Sequence, residues 1–141
     1  MSSRSTSVIK SWHAHIYFDA DSRDAAWALR QVIEQELGTV IELGRFHERP
    51  VGPHPQWSCQ IEFSPAHLAD IMSWLMLNHG TLDVFVHPNT GDALSDHRDA
   101  ALWIGKSYEL KMDAFGGNSQ AIDLSINHDV TTRLPESSTR R

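Results

Sequence analysis

The strongest constraint on the fold is the order in which residue patterns typical of strands and helices follow one another. Residues 12–18 alternate between apolar and polar, which is the period of a strand with one buried face. Asp21 or Ser22 can then cap a helix that runs to about Glu36, and Gly38 stands where a glycine commonly ends one. A strand followed directly by an amphipathic helix predicts a mixed α and β architecture.

Further segments continue this pattern, and a proline-rich loop over 50–56 interrupts it. Three more stretches have the pattern of strands: 39–49, 57–63 and 82–88. A second helix is expected over 64–80, because a serine and a proline open it and a glycine closes it. Residues 95–105 predict a short third helix, and residues 108–112 predict an extra strand.

The resulting order, β-α-β-β-α-β, is that of the ferredoxin-like α+β fold with an antiparallel sheet. The first strand is then central, between the third and the fourth, and both helices cover one face. The opposite face is expected to carry a mixed set of side chains: His13, His15, Tyr17, Gln60, Glu62, Asp83, Phe85 and His87. Because so wide a face is seldom left bare, we predict that a second copy of the chain covers part of it, in a homodimer.

Composition limits the partners and the compartment. A formal net charge of −6 argues against nucleic acid and against an anionic membrane surface. We find no apolar run of about eighteen residues, so no membrane span is expected. The single cysteine, Cys59, fits a reducing compartment, and we predict a cytoplasmic protein. The length suits one domain over 11–115, with a flexible N-terminal tail (1–10) and a C-terminal tail (116–141) whose composition is typical of disorder.

Nine histidines are present, and four of them come from segments that the predicted fold brings together. His13 and His15 share a face of the first strand, about 6.5–7 Å apart along it. His87 faces the same way on the neighbouring strand, and His54 lies in the loop between two prolines that restrict it. Neutral imidazole is a good ligand for zinc and iron(II), so the sequence predicts a metal site on this face.

Other interpretations of these residues stay open at this point. A His-x-His pair alone is weak evidence, and His54 and His87 could be ordinary turn and surface residues. Glu62 or Asp83 could complete a set of two histidines and one carboxylate, although carboxylates on an open face are usually solvated. His97 could lie on the surface. Solvated or ambiguous positions are expected for the remaining histidines: His47, His67, His79 and His128.

Other chemistries find less support in the sequence. Cys59 falls on the helix side of its strand, as expected of an inert core thiol. Trp12 and Trp103 could either line a pocket for an aromatic substrate or pack in the core. Neither a glycine-rich phosphate loop nor the nucleophile elbow of a hydrolase is found.

Three segments together resemble a known family: "HAHIYFD", "RFHERPVGPHP" and "HGTLDVFVHPNTGDALSDHRDAALWIG". They are similar to the DOPA 4,5-dioxygenase family of fungi and bacteria, over about residues 11–115. The resemblance implies a ferredoxin-like fold that pairs into a dimeric α/β barrel. It also implies extradiol ring opening of a catechol such as DOPA by O2, with a non-haem iron(II). Zinc or another divalent metal is the alternative occupant of the site.

The resemblance also implies that the motif histidines belong to the site: His13, His15, His54, His87 and His97. A mechanism follows from them as a hypothesis. His15, His54 and His87 are the expected metal ligands, and His13 is the expected acid and base for the catechol proton. Tyr17 is expected to hydrogen-bond oxygen species. His97 is expected among the catalytic residues, and His97 and Arg98 are expected to contact a carboxylate of the substrate. Trp103 is expected to line the substrate pocket.

A second interpretation belongs to another class of function. The chain could be a dimeric ferredoxin-like binding module for a small aromatic ligand, with a structural metal or none. A closed site of four fixed ligands would favour the module, whereas catalysis needs open metal positions beside an aromatic pocket. A cofactorless monooxygenase-like protein is a weaker third possibility, because it does not require the histidines.

Overall fold

The computed structural model describes residues 2–115, and the predictions made for 116–141, including that for His128, lie outside them. Three α-helices are described: α1 Arg23–Leu37, α2 Leu68–Asn78 and α3 Ala93–Arg98. Five strands are described: β1 Ser11–Phe18, β2 Glu42–His47, β3 Trp57–Phe63, β4 Asp83–Asn89 and β5 Leu102–Ile104. Single 3₁₀ turns also occur: Thr6–Val8, Pro65–His67 and Met112–Phe115.

The five strands pair antiparallel in one sheet, in the order β2-β3-β1-β4-β5. The central position of β1, between β3 and β4, confirms the ferredoxin-like arrangement expected from the sequence. His13 of β1 lies opposite Glu62 of β3 and opposite His87 of β4. Since opposite residues of an antiparallel pair share a face, the histidines of β1 and β4 lie on one side of the sheet.

The other side of the sheet carries the hydrophobic core, together with α1 and α2. Ile16 of β1 and Ile61 of β3 are both fully buried there, next to Cys59. The helices contribute one apolar stripe each, with these fully buried members: Trp27, Ile33, Ile71 and Leu75. Burying each large apolar side chain is worth about 1.5–3 kcal/mol. Burial also raises the pKa of the Cys59 thiol to about 12, as expected of an inert core cysteine.

The helix predicted over 95–105 is wrong in its second half. The helix α3 begins earlier, because the Asp92 side chain accepts a hydrogen bond from the Ser95 amide, and it ends at Arg98. Residues Leu102–Ile104 then pair with the edge of β4, with Trp103 opposite Phe85. The edge of β4 offers unpaired backbone N–H and C=O groups, and hydrogen bonds to them make this apolar stretch a strand.

The extra strand predicted over 108–112 is also wrong. The Lys106 amide and the Tyr108 hydroxyl donate to the Asp83 carboxylate, and the Lys111 amide donates to the carbonyl of Pro53. These bonds hold the segment across the sheet instead of along its edge. The end of α1 is at the predicted place, but Gly38 has a φ of −59°, so the left-handed glycine cap is not formed.

The histidine face is covered by segments of the same chain. The ring of His54, from the proline loop, lies 4.1 Å from that of His15, and the ring of His97, from α3, lies 3.8 Å from that of His87. Phe115 packs on His97 at 4.9 Å between ring centroids. The histidines are therefore buried without a second chain, and the homodimer stays a prediction. Among residues 2–115, no helix is both long enough and apolar enough to cross a membrane.

Candidate metal centre

Three histidines form a compact set of possible metal ligands. A ring nitrogen from each of His13, His15 and His87 lies within 4.8 Å of the others, and all three side chains are buried. The Nε2 atoms of His15 and His87 are 3.1 Å apart. Two nitrogens that each lie about 2.1 Å from one metal ion are about 3.0–3.4 Å apart at ordinary coordination angles. The donor set and its spacing therefore fit a divalent metal.

Burial keeps the imidazoles of His15 and His87 in the form that binds metals. Loss of hydration lowers the pKa of His15 and that of His87 well below the ordinary value. Repulsion from a neighbouring imidazole, chiefly His54 for His15 and His97 for His87, lowers both pKa values further. The rings are thus neutral at pH 7, each with a lone pair available.

Hydrogen bonds select which nitrogen carries that lone pair. Nδ1 of His87 donates to the carbonyl of Pro88 at 2.9 Å, so its Nε2 is the basic nitrogen. In the metal-free neutral pair, Nε2 of His15 then donates to Nε2 of His87, and a metal ion held by both Nε2 atoms would take the place of this proton. A histidine that ligates a metal usually has its second nitrogen bonded to a carbonyl or carboxylate, which orients the ring. His87 has this arrangement.

His54 joins the cluster from the proline loop. Gly52, at a φ of +55°, allows the tight turn, which the amide of His54 closes on the carbonyl of Val51 at 3.0 Å. Nδ1 of His54 forms a hydrogen bond with the Tyr17 hydroxyl, at 2.6 Å. The structure therefore brings His54 beside His15 as expected, although the tightest set of three contains His13 in its place.

The two candidate carboxylates have different surroundings. Oε2 of Glu62 is 3.7 Å from Nε2 of His13 and accepts a hydrogen bond from Ser11 Oγ at 2.8 Å. Asp83 lies at the other end of the face, where its carboxylate accepts hydrogen bonds from the Lys106 amide and the Tyr108 hydroxyl. Among residues 2–115, no carboxylate belongs to the compact set of three ligands.

Aromatic side chains extend this face beyond the histidines. The Tyr17 ring contacts those of Trp103 and Tyr108, with centroids 5.5 and 5.3 Å apart, and Phe85 packs on Trp103 at 4.5 Å. Tyr17 and Tyr108 also line a cavity of about 280 Å³. Burial raises the pKa of Tyr17, so its hydroxyl keeps its proton. Sequence reasoning missed Tyr108, because its alternating surroundings indicated a strand.

His97 and Arg98, the two residues expected to contact a substrate carboxylate, lie in different environments. His97 is buried against the cluster, its Nδ1 donates to the carbonyl of Ala93, and burial lowers its pKa to about 4. It is therefore neutral at pH 7. Arg98 is exposed and forms two hydrogen bonds with the carboxylate of Asp99. The structure brings His97 into the cluster and does not bring Arg98 there.

Comparison with known proteins points to one family. The profile of the Dopa 4,5-dioxygenase family matches residues 12–114. A DOPA 4,5-dioxygenase of Amanita muscaria is 36% identical over 113 residues, which is 75% of this chain and 50% of that protein. An uncharacterized 21.2 kDa protein of Botryotinia fuckeliana is 33% identical over 108 residues, 70% of this chain and 59% of that protein. The chain thus spans about half the length of these curated relatives.

A solved structure agrees with the sequence comparisons. The crystal structure of a protein from Nostoc punctiforme, described as a candidate dioxygenase, superposes with a TM-score of 0.74 at 42% sequence identity. The match covers 80% of this chain and 96% of that one. The family profile spans most of the domain, including all five histidines of the cluster. The chain therefore belongs to the DOPA 4,5-dioxygenase family.

Proposed function

We propose that this protein is a metal-dependent extradiol dioxygenase that opens the ring of DOPA or a related catechol with O2. The observation that carries the proposal is the buried pair of Nε2 atoms, 3.1 Å apart, on His15 and His87. The name of the Amanita muscaria relative supports the substrate class. Both atoms of O2 enter the product of such a cleavage, so the reaction needs no external reductant.

We assign His15, His87 and His54 as the residues that hold iron(II) or another divalent ion. Tyr17 supports the choice of His54, because its hydroxyl can accept a hydrogen bond from Nδ1–H, which orients the ring and leaves Nε2 as the ligand atom. An iron(II) ion at this place would supply the redox capacity that lets an electron-rich catechol react with O2. His13 lies close enough to take part in binding the ion, and variants of each histidine distinguish the two sets.

The remaining residues of the cluster would act on the substrate. His13 is the proposed acceptor of a catechol proton, since it stands between the ligand pair and the Glu62 carboxylate. The Tyr17 hydroxyl keeps its proton and is the proposed donor to a reacting oxygen. Phe85 and Trp103 form an apolar wall against which an aromatic ring can lie, and His97 completes it on the side of α3.

The test is reconstitution of the purified full chain with iron(II) without oxygen, followed by addition of DOPA or simpler catechols in air. We expect O2 uptake and a new absorbing product, both lost in His15→Ala and in His87→Ala. A matched control is His67→Ala, because His67 lies at the start of α2, outside the cluster. Tight metal binding without turnover of any catechol would instead support the aromatic-ligand binding module.

A further inference from the structure

A second row of polar side chains stands beside the histidines on the same face of the sheet. Cys59 and Ile61 of β3 belong to the hydrophobic core, so Ser58 and Gln60, which alternate with them, point to the histidine side. Gln60 is directly opposite His15, and Ser58 is directly opposite Tyr17. Both are almost completely buried, with 2% and 1% of their surface exposed.

These two side chains are buried without hydrogen-bond partners among the described residues. Neither the oxygen nor the nitrogen of the Gln60 carboxamide has one, and neither does the Ser58 hydroxyl. Other polar groups of the same face are at least partly satisfied: Ser11 Oγ donates to Glu62 and accepts from Asn89 Nδ2, although Asn89 Oδ1 has no partner among the described residues. A buried amide that gives up its hydrogen bonds to water and forms no new ones costs free energy on folding. Folded proteins therefore keep few such groups, and a role in binding or catalysis is one reason to keep them.

We propose that Gln60, assisted by Ser58, is a specificity-determining residue that hydrogen-bonds a phenolic hydroxyl of the catechol. The proposal rests on the proposed function and deepens it. Cβ atoms of directly opposite residues on paired strands lie about 4.5–5.5 Å apart, so the carboxamide stands next to the imidazole of His15. A substrate oxygen held near that imidazole is within reach of the amide.

The chemistry of the row favours an uncharged group on the substrate. A carboxamide can both donate to and accept from a hydroxyl, and the serine hydroxyl can do the same. Neither position carries a cation that would compensate a buried carboxylate. A neutral phenolic hydroxyl of the substrate therefore suits this row better than the carboxylate of an amino-acid substrate such as DOPA.

The experiment compares Gln60→Met with the wild-type protein, because methionine has a similar length and no strong hydrogen-bonding atoms. The control is Gln35→Met, at an exposed position of α1. The metal-loaded full chain is titrated with 4-nitrocatechol and, separately, with 2-methoxy-4-nitrophenol, in which one hydroxyl is methylated. Thermal unfolding of the metal-free protein is measured in parallel.

We expect Gln60→Met to weaken binding of 4-nitrocatechol about tenfold, which is about 1.4 kcal/mol, and to weaken binding of the methyl ether less. The thermal midpoint of the metal-free variant should stay equal or rise, because an unsatisfied buried amide is removed. Equal binding in variant and wild type, or weaker binding that affects both ligands alike and accompanies a lower midpoint, would overturn the proposal.

Ser58→Ala keeps the proposal testable if methionine packs badly at position 60. It removes one hydroxyl and is expected to weaken 4-nitrocatechol binding about threefold, again without loss of thermal stability. No change in this variant, together with misfolding of Gln60→Met, would overturn the proposal as well. If the wild-type protein itself binds no catechol, the proposed function fails together with this inference. If the wild type binds 4-nitrocatechol and Gln60→Met binds it equally well, only the role of Gln60 fails.

Discussion

Alternate residues of β1 point to opposite faces of the sheet, and the two faces are built from different chemistry. Ala14 and Ile16 enter an apolar core under two helices, whereas His13 and His15 enter a buried cluster of imidazoles. Both faces exclude water. The apolar face gains free energy by doing so, while the histidine face keeps uncharged polar groups buried at a cost. The comparison indicates that one face stabilises the fold, whereas the other carries the candidate metal site.

The largest effect expected is on metal binding, and it tests the chemical role of the histidine face. His15→Ala should remove tight metal binding and reduce catechol turnover by more than about a hundredfold, because a ligand and its orienting contacts are lost. The metal content of the reconstituted variant measures the loss of binding, and its rate of O2 uptake with a catechol measures the loss of turnover. Retention of both would show that the cluster is not the reactive site.

A substitution at the next residue tests the opposite face. Ile16→Ala should lower the free energy of unfolding by about 2–5 kcal/mol, because it leaves a cavity in the core. Urea denaturation measures the change, and metal content measured well below the unfolding midpoint should stay near that of the wild type. The division between the faces would be contradicted if Ile16→Ala lost its metal while remaining folded.

Acid should destabilise the metal-free protein through the histidine face. The pKa values of His15, His54 and His87 lie well below 6.5 and that of His97 is about 4, so in acid the unfolded chain binds more protons than the folded one. The free energy of unfolding should therefore fall as pH decreases from about 6.5 towards 4. His97 alone would contribute about 3 kcal/mol.

Urea titrations across this pH range measure the acid effect. His97→Asn should flatten the dependence, whereas His67→Ala, outside the cluster, should leave it unchanged. A free energy of unfolding that stayed constant between pH 6.5 and 4 would mean that the imidazoles are hydrated in solution.

A smaller effect tests the link between the aromatic wall and the ligands. Tyr17→Phe removes the hydroxyl that is bonded to Nδ1 of His54 and should weaken metal binding by about 10–100-fold. Competition with a metal-sensitive dye measures the affinity. Tyr108→Phe is the matched control, because the hydroxyl that it removes is hydrogen-bonded to Asp83 and not to a histidine. Equal affinity in Tyr17→Phe and wild type would argue that His13, not His54, is the third ligand.

The smallest effect is expected at Arg98, outside both faces. Solvent screens an exposed ion pair, so Arg98→Ala should leave the free energy of unfolding almost unchanged. The KM for DOPA should stay within about twofold of the wild-type value. A large rise in KM for DOPA, with none for unsubstituted catechol, would restore the substrate-carboxylate contact expected from the sequence.

Local patterns were sufficient to predict the parts of this protein that depend on neighbouring residues. The period of two in β1 and β3 correctly divided Ile16 and Cys59 from His15 and Gln60, because strand geometry sends successive side chains to opposite faces. The segment after β4 was misjudged, since Leu102 to Ile104 became a strand only through pairing with β4. Tyr108 was missed for a related reason, as distant hydrogen bonds to Asp83 place its segment.

The sequence by itself determined the order of the first four strands and the first two helices, the faces to which residues of β1, β3 and β4 point, and the likeness of its motifs to one family. Only the tertiary structure decided that His97 lies against His87 and that loops of the same chain cover the cluster. The physical reason is the range of the interactions involved. Side-chain periodicity follows from the geometry of a single strand, whereas a buried site assembles through contacts between segments far apart in the chain.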